Sequence, residues 1–135
     1  MQPFHINYLA LVVAAVAKGI IGFIWYSPPV FLSPWLQLNG FTAESMKQDM
    51  VRPVVIELGC NIVMAFVLVH AIHYAGANTA SLGAVSGFWN WLGFVGTVGL
   101  TGAIYERRSL KLWGINTGYQ LTGLVVMGAI IAAWT

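Results

Sequence analysis

Residues 91–134 read WLGFVGTVGLTGAIYERRSLKLWGINTGYQLTGLVVMGAIIAAW, two apolar, glycine-rich segments joined by the turn Glu106-Arg107-Arg108-Ser109-Leu110-Lys111. This turn holds three of the chain's six Lys and Arg residues. Each segment is long enough to cross the hydrocarbon core of a bilayer as a helix, which takes about 20 residues. The stretch therefore predicts a transmembrane helical hairpin with a basic turn.

The composition of the whole chain is typical of a membrane protein. Of its 135 residues, 59% are hydrophobic and 7% are charged, and the mean hydropathy is +0.78. A soluble domain carries about 25% charged residues because it must face water. The length accommodates one membrane domain, 1–135, and leaves no room for a separate soluble catalytic domain. These properties favour a non-enzymatic protein with no catalytic residues, no cofactor and no nucleic-acid partner.

The hydropathy pattern predicts an all-α, polytopic membrane protein, a bundle of four transmembrane helices. No Lys or Arg precedes the first apolar run, and the run continues past Lys18, which favours a retained span over a cleaved signal. Pro28 and Pro29 end this span, and Arg52-Pro53 precedes the second. Between these two spans we expect a short interfacial or cytoplasmic helical segment. The predicted spans are approximately 4–26, 54–74, 82–103 and 112–134.

The placement of cations in the short loops predicts the orientation. Loop 27–53 contains Lys47 and Arg52, and loop 104–111 contains three more cations, whereas the other loop and the two termini contain none. Lys and Arg in short loops accumulate on the cytoplasmic side of a membrane. We therefore expect a multi-pass protein of the cell membrane with both of these loops in the cytoplasm and both termini outside.

Polar residues inside the predicted spans form the candidate site. A Lys at the centre of a span costs roughly 2.5–3.5 kcal/mol, so Lys18 should face protein or water rather than lipid. Glu57 and Asn61 are four residues apart and share a helix face. One hypothesis is an inward-opening polar cluster or transport path, and the alternative is a set of hydrogen bonds between helices. The residues of this hypothetical cluster are Lys18, Glu57, Asn61, Thr97, Thr101, Asn116 and Gln120.

Three histidines form a second, weaker candidate. His70 and His73 are three residues apart on one helix face, and His5 falls at the same predicted end of the bundle. Imidazole is a common ligand of transition metals, so a metal site is one hypothesis. The other is that these side chains anchor the helices at the membrane interface, because no Cys or acidic residue accompanies them.

Glycines recur along the third and fourth spans. Gly83 and Gly87 are four residues apart, and Gly114 and Gly118 form a G-x-x-x-G pair. Small residues let helices approach closely in lipid, either within one chain or between two copies. The first functional hypothesis is therefore a self-associating or partner-binding membrane protein, with a homodimer favoured. The alternative is an oligomeric transporter or channel for a small solute or ion, centred on Glu57 and Lys18.

Several short motifs resemble the DUF1761 family of small integral membrane proteins. They are Asn7-Tyr8-Leu9-Ala10, Trp25-Tyr26-Ser27-Pro28, Trp35-Leu36-Gln37-Leu38-Asn39-Gly40, Gly93-Phe94-Val95-Gly96-Thr97, the turn Tyr105 to Leu112, and Ile115-Asn116-Thr117-Gly118-Tyr119-Gln120. The resemblance covers nearly the whole chain in the same order. It implies a four-helix membrane domain whose function is unknown.

Overall fold

The computed structural model describes residues 4–134, and no strand occurs among them. Its helical elements are α1 (Tyr8–Trp25), α2 (Leu32–Asn39), α3 (Ala43–Lys47), α4 (Val51–Ala75), α5 (Ala80–Trp91), a π-helical segment (Leu92–Gly96), α6 (Thr97–Tyr105) and α7 (Leu110–Ala133). The all-α prediction is therefore confirmed for this part of the chain. The ends of the predicted domain, residues 1–3 and 135, lie outside the described residues.

Three helices, α1, α4 and α7, are long and apolar enough to cross a membrane. The third predicted span, 82–103, is helical but consists of three consecutive elements, α5, the π segment and α6. The wider turn of the π segment interrupts the regular α-helix, so neither α5 nor α6 reaches the length of a spanning helix by itself. Between residues 4 and 134 the structure thus shows three candidate spans.

Polar side chains fix where the helices begin. The Asn7 side chain accepts a hydrogen bond from the Ala10 amide at the start of α1, and the Ser109 hydroxyl caps α7 in the same way. Thr42 and Ser45 form a reciprocal capping box at α3. These side chains bond the first amides of a helix, which have no partner within the helix itself. Gly76 ends α4 with a φ of 70°, a left-handed conformation that favours glycine.

Helix α7 is the centre of the bundle. It packs against α5 on one side and α1 on the other, while α4 packs mainly against α1. The Asn7 side-chain amide donates to the Trp134 carbonyl at 3.0 Å, which joins the start of α1 to the end of α7. The apolar core lies in the half of the bundle that contains this hydrogen bond. Its buried residues include Leu11, Ala14, Ala15, Ala65, Leu68, Ile72, Leu124, Met127 and Ile131.

Glycines bring α5 and α7 into backbone contact. A Cβ atom at Gly83 would lie 2.0 Å from the Gly128 carbonyl oxygen, and one at Gly87 would lie 2.2 Å from the Leu124 oxygen. No side chain fits at those distances, so these positions require glycine. Beyond this contact, the Trp91 indole donates to the Thr117 carbonyl and the Trp113 indole donates to the Gly96 carbonyl. The two tryptophans hold the π segment against α7.

The two halves of α4 differ in their environment. All ten residues of its first part, 51–60, are exposed, whereas Asn61 and several apolar residues after it are buried. The first part therefore stands at the edge of the bundle. This position leaves Glu57 near the surface while its neighbour one turn later, Asn61, reaches the interior.

Candidate functional site: a buried lysine cluster

Lys18 of α1 lies inside the bundle with only 1% of its surface exposed. Its ammonium nitrogen donates to Asn61 Oδ1 at 2.9 Å and to Tyr119 Oη at 3.1 Å. The same nitrogen lies 4.2 Å from the centre of the Tyr119 ring, a cation–π distance. One lysine thereby connects α1 with α4 and α7.

Two glycines make room for this arrangement. A Cβ atom at Gly123 would come within 2.8 Å of Lys18 Cγ, and one at Gly22 would come within 2.9 Å of Tyr119 Oη. Both distances are shorter than an ordinary van der Waals contact. The Lys18 side chain therefore packs against a glycine of α7, and the Tyr119 side chain packs against a glycine of α1.

The Tyr119 hydroxyl connects Lys18 to Glu57. It donates to Glu57 Oε1, and the Lys18 carbonyl oxygen, at 3.2 Å, is a second acceptor within its reach. Lys18 and Glu57 do not form a direct salt bridge, since the ion pair found among residues 4–134 joins Arg108 to Glu106. The carboxylate and the ammonium group are thus connected by hydrogen bonds to one hydroxyl group, that of Tyr119.

Two buried polar atoms on these helices make no hydrogen bond within residues 4–134. They are Asn61 Nδ2, a donor, and Gln120 Oε1, an acceptor. Almost all buried polar atoms in proteins have a partner. Of the two atoms, Asn61 Nδ2 belongs to a residue that bonds Lys18, so the Lys18 cluster keeps one donor without a partner in this part of the chain.

Of the seven residues predicted for the cluster, the structure brings together Lys18, Glu57 and Asn61 and places three elsewhere. The seventh, Gln120, is half-buried on α7, and its Oε1 atom has no partner within residues 4–134. Asn116 Oδ1 accepts from the Tyr26 hydroxyl at 2.8 Å and from Trp35 Nε1 at 3.1 Å, which ties the end of α1 and helix α2 to α7. Thr97 and Thr101 are exposed. Each donates to the backbone carbonyl four residues before it.

Tyr119 is the central residue that sequence reasoning did not include. A tyrosine in an apolar span is ordinarily interpreted as a packing or interfacial residue. One signal was available, because Gly123 follows Tyr119 by four residues and therefore lies beside it on the same helix face. The matching glycine on the other helix, Gly22, becomes informative only once α1 is known to face α7.

The histidines occupy the opposite end of the bundle. His73 stacks on the Phe4 ring at 3.8 Å, and His70 Nδ1 lies 2.8 Å from the Phe66 carbonyl oxygen. His5 and His73 line a separate pocket of about 350 Å³. Within residues 4–134 no three His, Cys, Asp or Glu side chains are grouped so that they could hold a metal. The metal hypothesis gains no support from this arrangement.

Comparison of the chain with known proteins finds one family whose model matches it. The model of the family described as "Protein of unknown function (DUF1761)" matches residues 9–132, a range that includes Lys18, Glu57, Asn61 and Tyr119. Neither a curated protein nor a solved structure matches the chain. The match runs from α1 to α7 and confirms the resemblance that the sequence motifs indicated. The chain therefore belongs to the DUF1761 family, whose function is unknown.

Proposed function

We propose that this protein is a single-domain, four-span membrane protein that carries a small polar solute or an ion and works as an oligomer. The observation that carries this proposal is the hydrogen-bonded chain from buried Lys18 through Tyr119 to Glu57 at the edge of the bundle. Ionisable residues inside membrane spans are rare and mark substrate, ion or proton paths more often than other positions do.

The continuity of the third helix supports four spans. Helix α5, the π segment and α6 follow one another without a break over 12, 5 and 9 residues. At about 1.5 Å per residue they reach roughly 35–40 Å, enough to cross a bilayer core of about 30 Å. In this topology Lys47 and Arg52 share the cytoplasmic side with the turn before α7, and both termini lie outside. The Glu57 end of the cluster then faces the cytoplasm.

The hydroxyl between the two charged groups allows a balanced proton shift. Lys18 can pass an ammonium proton to the Tyr119 oxygen while the Tyr119 hydroxyl proton moves to the Glu57 carboxylate. The ammonium group then becomes a neutral amine and the carboxylate a carboxylic acid, while the phenol between them stays intact. In a low-dielectric interior such a neutral pair avoids the cost of two separated charges. The arrangement is therefore suited to move protons between Lys18 in the interior of the bundle and Glu57 at its edge.

Proton flux into proteoliposomes tests this function. The purified full-length protein is reconstituted with a pH-sensitive dye inside the vesicles, and a pH step is applied at zero membrane potential. We expect a protein-dependent flux that falls to the level of empty liposomes in Glu57→Gln and in Tyr119→Phe. The matched control is Asp49→Asn, which removes an exposed carboxylate outside the cluster and should leave the flux unchanged.

Two results count against the transport proposal. One is a flux from the wild-type protein no larger than that of empty liposomes. The other is an unchanged flux in Glu57→Gln, because the carboxylate is the final proton acceptor in the proposed relay. Circular dichroism of each variant shows whether the helices are intact, so a loss of flux can be assigned to the relay rather than to misfolding.

A second candidate function is self-association or partner binding through glycine faces. It is favoured by the open space around four helix glycines, where a Cβ atom would meet nothing within 4 Å: Gly59, Gly93, Gly102 and Gly114. The exposed first part of α4 also favours a protein partner, since Glu57 at a lipid-facing edge is better accommodated against protein than against hydrocarbon. Gly59→Leu would block close approach of a partner there. The oligomeric state in detergent is measured by light scattering for Gly59→Leu and for Gly93→Leu separately. Loss of self-association in one variant identifies the face that makes the contact, and no loss in either variant counts against both faces.

A further inference from the structure

A second cavity, of about 260 Å³, lies between α6 and α7 beside the charged turn. Its walls include Gly102 of α6 and Trp113 and Asn116 of α7, and Glu106 and Arg108 stand at its margin. A Cβ atom at Gly102 would meet nothing within 4 Å, so this wall is open rather than packed. The cavity has no part in the Lys18 cluster.

The charges at this cavity favour an anion. Arg108 Nε bonds Glu106 Oε2 at 2.8 Å, and both side chains are more than half exposed. This contact uses one of the five N–H groups of the guanidinium, so most of its planar donor fork stays available. Arg107 and Lys111 belong to the same turn and are exposed. Three cations against one carboxylate leave the turn with a net positive charge.

Asn116 supplies a neutral donor in the wall. Its orientation follows from its partners, because the Trp35 indole is a donor only and must therefore bond the amide oxygen of Asn116. The Tyr26 hydroxyl bonds the same oxygen. The amino group, Nδ2, makes no hydrogen bond in the part of the chain that the structure describes. The residues that line the cavity thus include an arginine and an asparagine whose amino group has no partner within residues 4–134.

We propose that this cavity binds the phosphodiester headgroup of an anionic phospholipid, with Arg108 as its main ligand and Asn116 as a second donor. The apolar surroundings select a lipid over a free anion. Tyr105, at 84% exposure, and the exposed Ile104 and Leu110 flank the turn and provide contacts for acyl chains. Basic pockets between membrane helices are suited to acidic lipid headgroups. This inference rests on the cavity and its charges and does not depend on transport or on the orientation of the bundle.

Thermal unfolding of the purified full chain in detergent tests the proposal. Tryptophan fluorescence reports the midpoint while short-chain phosphatidylglycerol, phosphatidylcholine of the same chain length, or inorganic phosphate is titrated. We expect phosphatidylglycerol to raise the midpoint with saturation and the other two probes to leave it unchanged. Arg108→Gln should weaken the apparent affinity about fivefold, the effect of one basic residue at an anionic surface. Arg52→Gln, which removes an exposed cation at the start of α4, should leave the affinity unchanged.

Two further variants separate a binding role from a structural one. Gly102→Leu places a side chain in the cavity and should abolish the lipid response, whereas Gly59→Leu, on an open face of α4, should keep it. Glu106→Gln removes the carboxylate that competes for Arg108 and should tighten binding, although it breaks the ion pair. Equal responses to the two phospholipids, equal losses in Arg108→Gln and Arg52→Gln, or an equal response to inorganic phosphate would each overturn the assignment to a lipid.

Discussion

The ammonium nitrogen of Lys18 lies 3.1 Å from the Tyr119 hydroxyl oxygen and 4.2 Å from the centre of the same ring. One side chain therefore provides the lysine with both a hydrogen-bond acceptor and a π face. Each interaction contributes on the order of 1 kcal/mol in a buried setting. Together with Asn61 they offset a large part of the insertion cost of the charge, without any direct contact between ammonium and carboxylate.

The Lys18–Asn61 hydrogen bond should appear as a coupling energy in a double-mutant cycle. We expect Asn61→Leu to destabilise the protein by about 1–2 kcal/mol more when residue 18 is Lys than in the Lys18→Met variant, because the wild-type ammonium loses its amide partner. Unfolding in mixed micelles, followed by circular dichroism, measures each corner of the cycle. A parallel cycle of Lys18→Met with Asn116→Leu is the control, since these side chains do not contact each other. A coupling in the Asn61 cycle no larger than in this control contradicts the assigned hydrogen bond.

Gly123→Ala should destabilise the bundle through Lys18. The added methyl group would lie 2.8 Å from Lys18 Cγ and 2.9 Å from Cε, so the buried side chain must shift at a cost of about 1–3 kcal/mol. Gly114→Ala, on an open face of α7, should be neutral or slightly stabilising because alanine favours the helix. Unfolding midpoints of the two variants give the comparison.

Shortening Lys18 tests whether its side chain is the reason that Gly123→Ala destabilises the bundle. In a Lys18→Ala background Gly123→Ala should become nearly neutral, since the crowded side-chain atoms are gone. If Gly123→Ala remains equally costly in that background, the contact with Lys18 is not the reason that position 123 needs glycine.

Cysteine accessibility in intact cells should report the proposed topology. In a Cys60→Ser background, Asn78→Cys lies in the turn between α4 and α5, and Gln48→Cys lies between α3 and α4; both positions are exposed. A membrane-impermeant maleimide added outside should label Asn78→Cys alone, because the cation-rich loop stays in the cytoplasm. After permeabilisation both variants should react. Labelling of Gln48→Cys in intact cells would place the basic loops outside and invert the topology.

The helical fold was accessible from the sequence because its signals are local. Apolar runs of spanning length and the proline pair Pro28-Pro29 each depend on a few neighbouring residues. Lys18 and Glu57 stood out for the same reason, since an ionisable residue in an apolar run is visible without any knowledge of packing. The structure brings these two residues within reach of one hydroxyl.

The composition of the cluster depended on packing between helices and could not be predicted in full. Tyr119 becomes central because α7 lies between α1 and α5, a relation that no single segment encodes. Thr97 and Thr101 were assigned to the polar face by assuming 100° per residue along the whole third span. The π segment breaks that periodicity, so residues before and after it do not continue one common face.

The π segment also determines how the third helix responds to the loss of one residue. A π turn holds about one residue more than an α-helical turn, so the five residues of the segment sweep about the same angle as four α-helical residues. Deleting Gly93 would therefore allow a regular α-helix to form from Ala80 onward while Gly99 and Ala103 still face α7. Deleting Val98, in the regular part of α6, would instead turn every later residue by about 100° and displace Arg108. The π segment is thus the place where the third helix can lose one residue and keep its buried face.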